Sequence, residues 1–351
     1  MRRCLSVLLF GLAVAAPTGL LAAPPEPDRV DKAIVRGLDY LLSAQQSDGS
    51  FDGNRGKTTA LPALAAMACM ATGHVPGDAK YGKIIDRSLD YVLSHGTEEG
   101  YFGEVGDGKM YAHAISTLLM TEVSGMVSKE RQAQIDAVLP KAIKIILDAQ
   151  RIKKDRFHQG GWRYTPKSSD SDTSCSGWNL MALRSARLNG APVPATAIKA
   201  AVDYMHKQHD ANAGCFGYQH NRQFATTLTG AGILCLELCG RHEDPDSLAA
   251  ARYLMRIYKN TDHDGMMQQE YKYYGMYYAA QGLFQLGGEN WKEFSTWMYD
   301  TFLPLQAADG SWRGKGGEDS KAYATSMIIL AFAVPYRQLP VYQRDETVDE
   351  L

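Results

Sequence analysis

The chain has 351 residues, 45% of them hydrophobic, 22% charged and 10% aromatic, enough apolar material for one large core or two ordinary ones, which excludes a disordered, collagenous or coiled-coil chain. Its 37 Lys and Arg against 39 Asp and Glu leave a formal charge of −2 without a long basic run, so nucleic acid is not an expected partner.

Arg2 and Arg3 precede an apolar stretch from Leu5 to Ala23, which is broken by Pro17 and Gly19 and ends in small residues before Pro24, Pro25 and Pro27. Charge, then apolar core, then small residues is the order of a secretory signal peptide, read here as residues 1–23 with a Pro-rich linker over 24–28. A membrane anchor is the competing reading, disfavoured by Pro17 and by the lack of stop-transfer charges. The expectation is an exported protein, periplasmic or secreted, with no transmembrane anchor after cleavage. Cys69, Cys175, Cys215, Cys235 and Cys239 then remain, an odd number without a Cys-x-x-Cys pair, so neither a disulfide framework nor a four-cysteine metal site is expected, and no cofactor. A bridge between Cys175 and Cys215 is the one option left open, because the two sit at comparable places in successive repeats.

From residue 29 to 340 one pattern recurs about six times: an amphipathic helix, a Gly-rich polar loop with an aromatic residue, then a helix apolar nearly all round. The first helices are predicted near Asp31 to Gln45, Tyr81 to Ser94, Lys129 to Gln150, Ala195 to Gln208, Asp246 to Tyr258 and Trp291 to Gln306. The second are predicted near Thr59 to Thr72, Tyr111 to Val123, Ser174 to Asn189, Ala225 to Cys239, Tyr274 to Leu286 and Tyr323 to Pro335. A helix wet on one side belongs outside and one apolar on all faces belongs inside. With few long polar insertions and no polar capping repeat, closure is favoured over an open solenoid. The expected fold is all-α, a single α6/α6 toroid over 29–340, followed by a polar tail over 341–351.

The loop Gln45-Gln-Ser-Asp48-Gly49-Ser50-Phe51 and its echo Gln306-Ala-Ala-Asp309-Gly310-Ser311-Trp312 resemble the Gln-to-Trp repeat of the prenyltransferase and squalene-hopene-cyclase group. Gly160-Gly161-Trp162, Gly214-Cys215-Phe216 and Gly100-Tyr101-Phe102 are weaker copies. The resemblance covers nearly all of the mature chain and implies a toroid tied through its loops, with no statement about catalysis.

In such a toroid the mouth lies where the inner helices begin. Candidate ligand-binding residues there are Tyr111, His113, Cys175, Trp178, Tyr274, Tyr278 and Tyr323, an aromatic and weakly polar set suited to an isoprenoid or other apolar or amphipathic ligand, or to a protein partner. Packing is the competing reading for the tyrosines. Asp170-Ser-Asp172-Thr173-Ser174 resembles the Asp-x-Asp-Asp-Thr acid motif of class II terpene cyclases, with two acidic positions matched in one register and one in the other. That resemblance implies Asp170 and Asp172 as proton donors to an alkene, whereas their place before an apolar helix equally suits N-caps. The cyclases of this resemblance enclose substrate between two helical domains, and this chain has residues for one. Asp172 and Cys175 also resemble two zinc ligands of protein prenyltransferase β subunits, but Ala324 stands where that family has histidine, leaving only His113 as a stand-in. A third alternative is a polysaccharide-acting toroid enzyme such as a pectate lyase, for which Asp262, His263, Asp264 and Glu270 are the nearest cluster, more simply read as a solvated turn.

Overall fold

The computed structural model describes residues 28–53, 56–261 and 263–343; the signal segment expected over 1–23 lies outside the described residues. The outer helices are α1 (Arg29–Ala44), α3 (Gly82–Ser94), α5 (Lys129–Arg151), α7 (Ala195–Gln208), α9 (Pro245–Asn260) and α12 (Gly288–Phe302). The inner ones are α2 (Ala60–Ala71), α4 (Lys109–Val123), α6 (Thr173–Leu188), α8 (Ala225–Leu238), α11 (Lys272–Leu286) and α13 (Lys321–Phe332). A short α10 (His263–Gln268) precedes α11, and β1 (His209–Asp210) pairs antiparallel with β2 (Cys215–Phe216). No helix among the described residues is long and apolar enough to cross a membrane.

Burial follows the sequence pattern. In α1, Val30, Ala33, Ile34, Gly37, Leu38 and Leu41 are buried while Lys32, Arg36 and Asp39 face water, whereas α2 is buried continuously from Leu61 to Ala71. The inner helices touch in the cyclic order α2, α4, α6, α8, α11, α13 and back to α2, so the ring is closed. Each inner helix packs on the outer helix that follows it, and α13 packs on α1. The structural hairpin is therefore inner then outer, offset by one helix from the repeat read in the sequence, because the last inner helix takes its outer partner from the first helix of the domain.

The repeat loops staple neighbouring outer helices. Gln306 Nε2 donates to Ala33 O at 2.8 Å and to Gly310 O at 2.9 Å, joining the loop after α12 to α1. Gln45 makes the same pair of bonds to Ile84 O and Gly49 O, and Gln150 to Ala197 O and Gly160 O. Gly310 has φ +85°, and a Cβ there would lie 2.2 Å from Arg36 O, which explains why the loop needs glycine where it presses on the next helix. Trp312 closes the loop by donating Nε1–H to Phe302 O at 2.7 Å. The copy ending in Trp162, weak in sequence, is complete in structure, with Trp162 Nε1 donating to Ile146 O at 2.7 Å.

Six further links run around the mouth, each joining the start of one inner helix to the loop before the next. Thr59 Oγ1 donates to Phe102 O (2.8 Å), Met110 N to Tyr164 O (3.0 Å), Thr173 Oγ1 to Gly217 O (2.6 Å) and Thr227 Oγ1 to Glu270 O (3.1 Å). Tyr274 N donates to Glu318 Oε1 (2.8 Å), and Ser320 Oγ to Asp52 O (3.1 Å) completes the circuit.

The opposite end is sealed by a 3-10 turn, Pro340–Tyr342. Val341 is fully buried and donates its N–H to Glu122 Oε2 at 3.1 Å, while Gln285 Nε2 donates to Tyr342 O at 2.8 Å and the Tyr342 and Tyr277 hydroxyls pair. The polar tail expected from 341 thus begins later, since Val341 and Tyr342 belong to the core.

Candidate functional site

Asp172 stands in extended backbone at the N-cap of α6 and is wholly buried. Its Oδ1 accepts from Cys175 N at 2.7 Å and from Ser174 Oγ at 2.6 Å, and its Oδ2 faces Arg163 Nη1 at 3.3 Å. Ser174 gives its proton to Asp172, so the Tyr111 hydroxyl at 2.5 Å donates to Ser174, which makes a chain from Tyr111 through Ser174 to Asp172. Burial pushes the Asp172 carboxyl up to about 6, against the lowering effect of the cap bonds and of Arg163. The N-cap reading of this residue is the one the geometry shows, and the cap is also a buried acid that protonates more readily than an exposed aspartate.

Arg163 organises the surrounding surface. Its guanidinium lies over the Tyr164 ring at 4.4 Å and the Tyr218 ring at 5.3 Å, donates to Tyr218 Oη at 3.1 Å, and reaches Asp170 Oδ2 at 3.4 Å. The Tyr164 and Tyr218 hydroxyls bond each other. Asp170 is half-exposed and also accepts from Gln219 Nε2 at 3.1 Å, so the two acids differ in environment, one in water and one in the wall. Half-buried aromatic side chains continue from this point: Tyr111 lies against Tyr164, Phe224 meets Tyr218 edge-on, and Tyr271 meets Phe224 edge-on. An open groove of about 400 Å³ beside them runs between Arg222, Phe224, Tyr253 and Glu270.

Behind the rim the lumen is occupied by side chains. Tyr274 reaches across from α11 to donate to Ser174 O on α6 at 3.0 Å, Trp178 stacks on Tyr277 with centroids 5.5 Å apart, and Tyr278 packs against both Trp178 and Tyr274. The approach that permits this is set by glycine: a Cβ on Gly230 of α8 would lie 2.4 Å from Ala279 N of α11. Of the expected ligand-binding set, Tyr111, Cys175, Trp178, Tyr274 and Tyr278 are brought together, but they pack on one another rather than around an open volume. Tyr323 stays on the rim, half-buried.

His113 is a correction. Phe102 N donates to its Nδ1 at 3.2 Å and its Nε2 faces Ala142 O at 3.1 Å, so both ring nitrogens are spent on backbone, and burial holds the ring down to about 4. It joins neither the ligand set nor a zinc triad with Asp172 and Cys175. Cys175 donates its thiol to Arg163 O at 3.0 Å, and burial pushes that thiol well above its ordinary range. All five cysteines among the described residues are free and buried, so the Cys175–Cys215 bridge is not formed. Of the polysaccharide cluster, residue 262 lies outside the described residues.

Arg163, Tyr164, Tyr218 and Glu318 were not singled out from the sequence. Arg163 and Tyr164 directly follow the aromatic residue of one weak repeat, and Tyr218 follows another by two, so the signal was the position just past each repeat aromatic. Glu318 caps α11 from a distant loop, accepting from Tyr274 N at 2.8 Å and Tyr273 N at 3.2 Å, and burial pushes it up to about 7.

The closed double ring defines the chain as an α6/α6 toroid. No protein-family model and no curated protein matches the sequence. Among solved structures, the type II terpene cyclase MstE from Scytonema is 14% identical with a TM-score of 0.58, the match covering 90% of this chain and 100% of that one. A variant of that cyclase in complex with its substrate geranylgeranyl dihydroxybenzoate gives 13%, 0.59, 89% and 98%. The GH76A α-1,6-mannanase of a Salegentibacter species gives 11%, 0.60, 88% and 99%. At these identities the likeness is one of fold.

Proposed function

We propose that this chain is an exported toroid that binds an amphipathic, prenyl-type ligand at the rim of its mouth. The observation that carries this reading is the contrast at the mouth itself, where Arg163 is held between Tyr164 and Tyr218 amid half-exposed aromatic rings while the lumen behind is filled by Trp178, Tyr274 and Tyr278. Aromatic rings offer apolar faces to a hydrocarbon chain, and a guanidinium held by them offers planar donors to a polar or anionic head. The geranylgeranyl substrate of the Scytonema cyclase is a ligand of this class.

A second reading, acid catalysis, is supported by the buried Asp172 carboxyl and its chain through Ser174 to Tyr111. In it, Asp172 gives its proton to an alkene carbon of the ligand, the resulting cation is quenched by loss of a proton elsewhere, and Arg163 with the Cys175 N–H holds the carboxylate left behind. A polysaccharide ligand is the third, supported by the same aromatic rim and by the mannanase fold.

The experiment is to incubate the mature chain with a geranylgeranyl amphiphile and, separately, with α-1,6-manno-oligosaccharide, following binding by tyrosine and tryptophan fluorescence and products by mass spectrometry. Saturable prenyl binding that weakens in Arg163→Gln, with no product, is the expected result. Product formed by the wild type and lost in Asp172→Asn would replace it with the catalytic reading, and binding only of the oligosaccharide would replace both.

A further inference from the structure

On the outer wall, the last turn of α7, the strand β1 and the first turn of α9 bring two histidines and two aspartates to one point. His206 Nδ1 lies 2.8 Å from Asp246 Oδ2, His206 Nε2 lies 3.6 Å from Asp244 Oδ2, and His209 Nδ1 lies 2.9 Å from Asp246 Oδ1. One ligand atom each from His206, Asp244 and Asp246 falls within a span of 4.8 Å. Asp244 is fixed by capping α9, where it accepts from Asp246 N at 2.9 Å through Oδ1, leaving Oδ2 turned toward His206. The His209 side chain is 5% exposed, so this is a partly enclosed cluster and not a meeting of mobile surface groups.

A divalent cation set among one nitrogen of His206 and one oxygen each of Asp244 and Asp246 would offset the two carboxylate charges that the first turn of α9 places together. An imidazole nitrogen with carboxylate oxygens belongs to the donor set of a zinc-type transition metal, whereas calcium and magnesium take oxygen ligands. Tetrahedral ligands at zinc bond lengths lie about 3.3 Å apart, so the three ligand atoms, now within 4.8 Å of one another, close up on the ion by side-chain rotation.

From this geometry we infer that His206, Asp244 and Asp246 form a binding site for a zinc-type divalent metal that clamps α7 to α9, with His209 holding Asp246 in place from β1. The clamp has a consequence at the mouth. His209 pairs with Phe216 in the β1–β2 ladder, and two residues after Phe216 comes Tyr218, whose hydroxyl accepts from Arg163. Metal at the outer wall therefore fixes the base of the loop that presents Tyr218 to the rim.

The test uses the mature chain freed of metal by a chelator and titrated with Zn²⁺ against a chromogenic competitor, then with Co²⁺ for its absorption spectrum. One equivalent of Zn²⁺ per chain, tetrahedral Co²⁺ bands and a raised thermal midpoint with Zn²⁺ are expected for the wild type. Asp246→Asn and His206→Gln should each weaken binding at least about 10-fold and lose the bands, while Asp203→Asn, on the same helix but outside the cluster, should behave as wild type. Circular dichroism identifies which variants are folded, and either ligand variant suffices. Absence of saturable uptake by the wild type, or uptake undiminished in a folded ligand variant, overturns the site.

Discussion

The two ends of the inner ring each bury a carboxylate, and they treat it differently. At the mouth, Asp172 is met by a backbone N–H, a hydroxyl and the guanidinium of Arg163, and burial takes it from 3.8 to about 6. At the sealed end, Glu122 is held by two neutral donors, the Ser185 hydroxyl and the Val341 N–H, and burial takes it from 4.5 to about 7. Desolvation raises both by a similar amount, but only the mouth carboxylate has a cation and a half-exposed rim beside it to stabilise its charged form. Polar change should therefore be tolerated at the mouth and costly at the plug.

The largest expected effect tests the plug directly. Val341→Asp sets a second carboxyl against Glu122 in a dry site and should cost about 4 kcal/mol, read as a lowered denaturation midpoint at neutral pH. A loss under about 1 kcal/mol would mean that water reaches this end as it reaches the mouth.

Next in size is a pH dependence. Glu122 has a folded value raised from 4.5 to about 7, so the folded state binds the proton more tightly than the unfolded one. Its contribution to stability is full at low pH and falls as pH rises from about 4.5 through 7, by up to about 3 kcal/mol. Asp172 and Glu318 run in the same direction, so the readout is the difference between wild type and Glu122→Gln. The two stability curves should meet near pH 4.5 and separate toward pH 8 with the variant the more stable; parallel curves would remove Glu122 as the cause.

At the mouth, Asp172→Ala removes the α6 cap and should cost about 0.5–2 kcal/mol in thermal or urea unfolding. Asp172→Asn, which keeps an acceptor oxygen for Cys175 N, should recover most of that loss. Smallest of all, Asp170→Asn on the wet side of Arg163 should stay within about 0.5 kcal/mol of wild type. A larger loss there would show that the rim is more rigid than its exposure implies.

The parts legible in sequence were those written in periodicity. Predicted and observed helices coincide within a few residues, for example Lys129 to Gln150 against Lys129–Arg151, because amphipathic and uniformly apolar stretches differ in burial whatever their neighbours. Pairing across the ring was not legible. That Tyr274 and Trp178 fill the lumen depends on how closely Gly230 lets α8 approach α11, a distance that no local pattern encodes. Glu318 reads as an ordinary surface acid in a Gly-rich loop until the fold lays it beneath the first turn of α11. His206 and Asp246 are likewise unremarkable on separate helices, and only the curvature of the outer ring brings them to 2.8 Å.

The staple from Gln306 to Ala33, with α1 lying on α13, carries a meaning for synthesis. A ribosome delivers α1 first and α13 last, so the apolar face of α1, with Ile34, Leu38 and Leu41, waits for its partner until nearly the whole domain has emerged. Every other outer helix follows its inner partner directly along the chain. The leading helix is thus the segment of the nascent protein most in need of shelter, and closing its contact is a long-range event that comes late and slowly compared with the local hairpins.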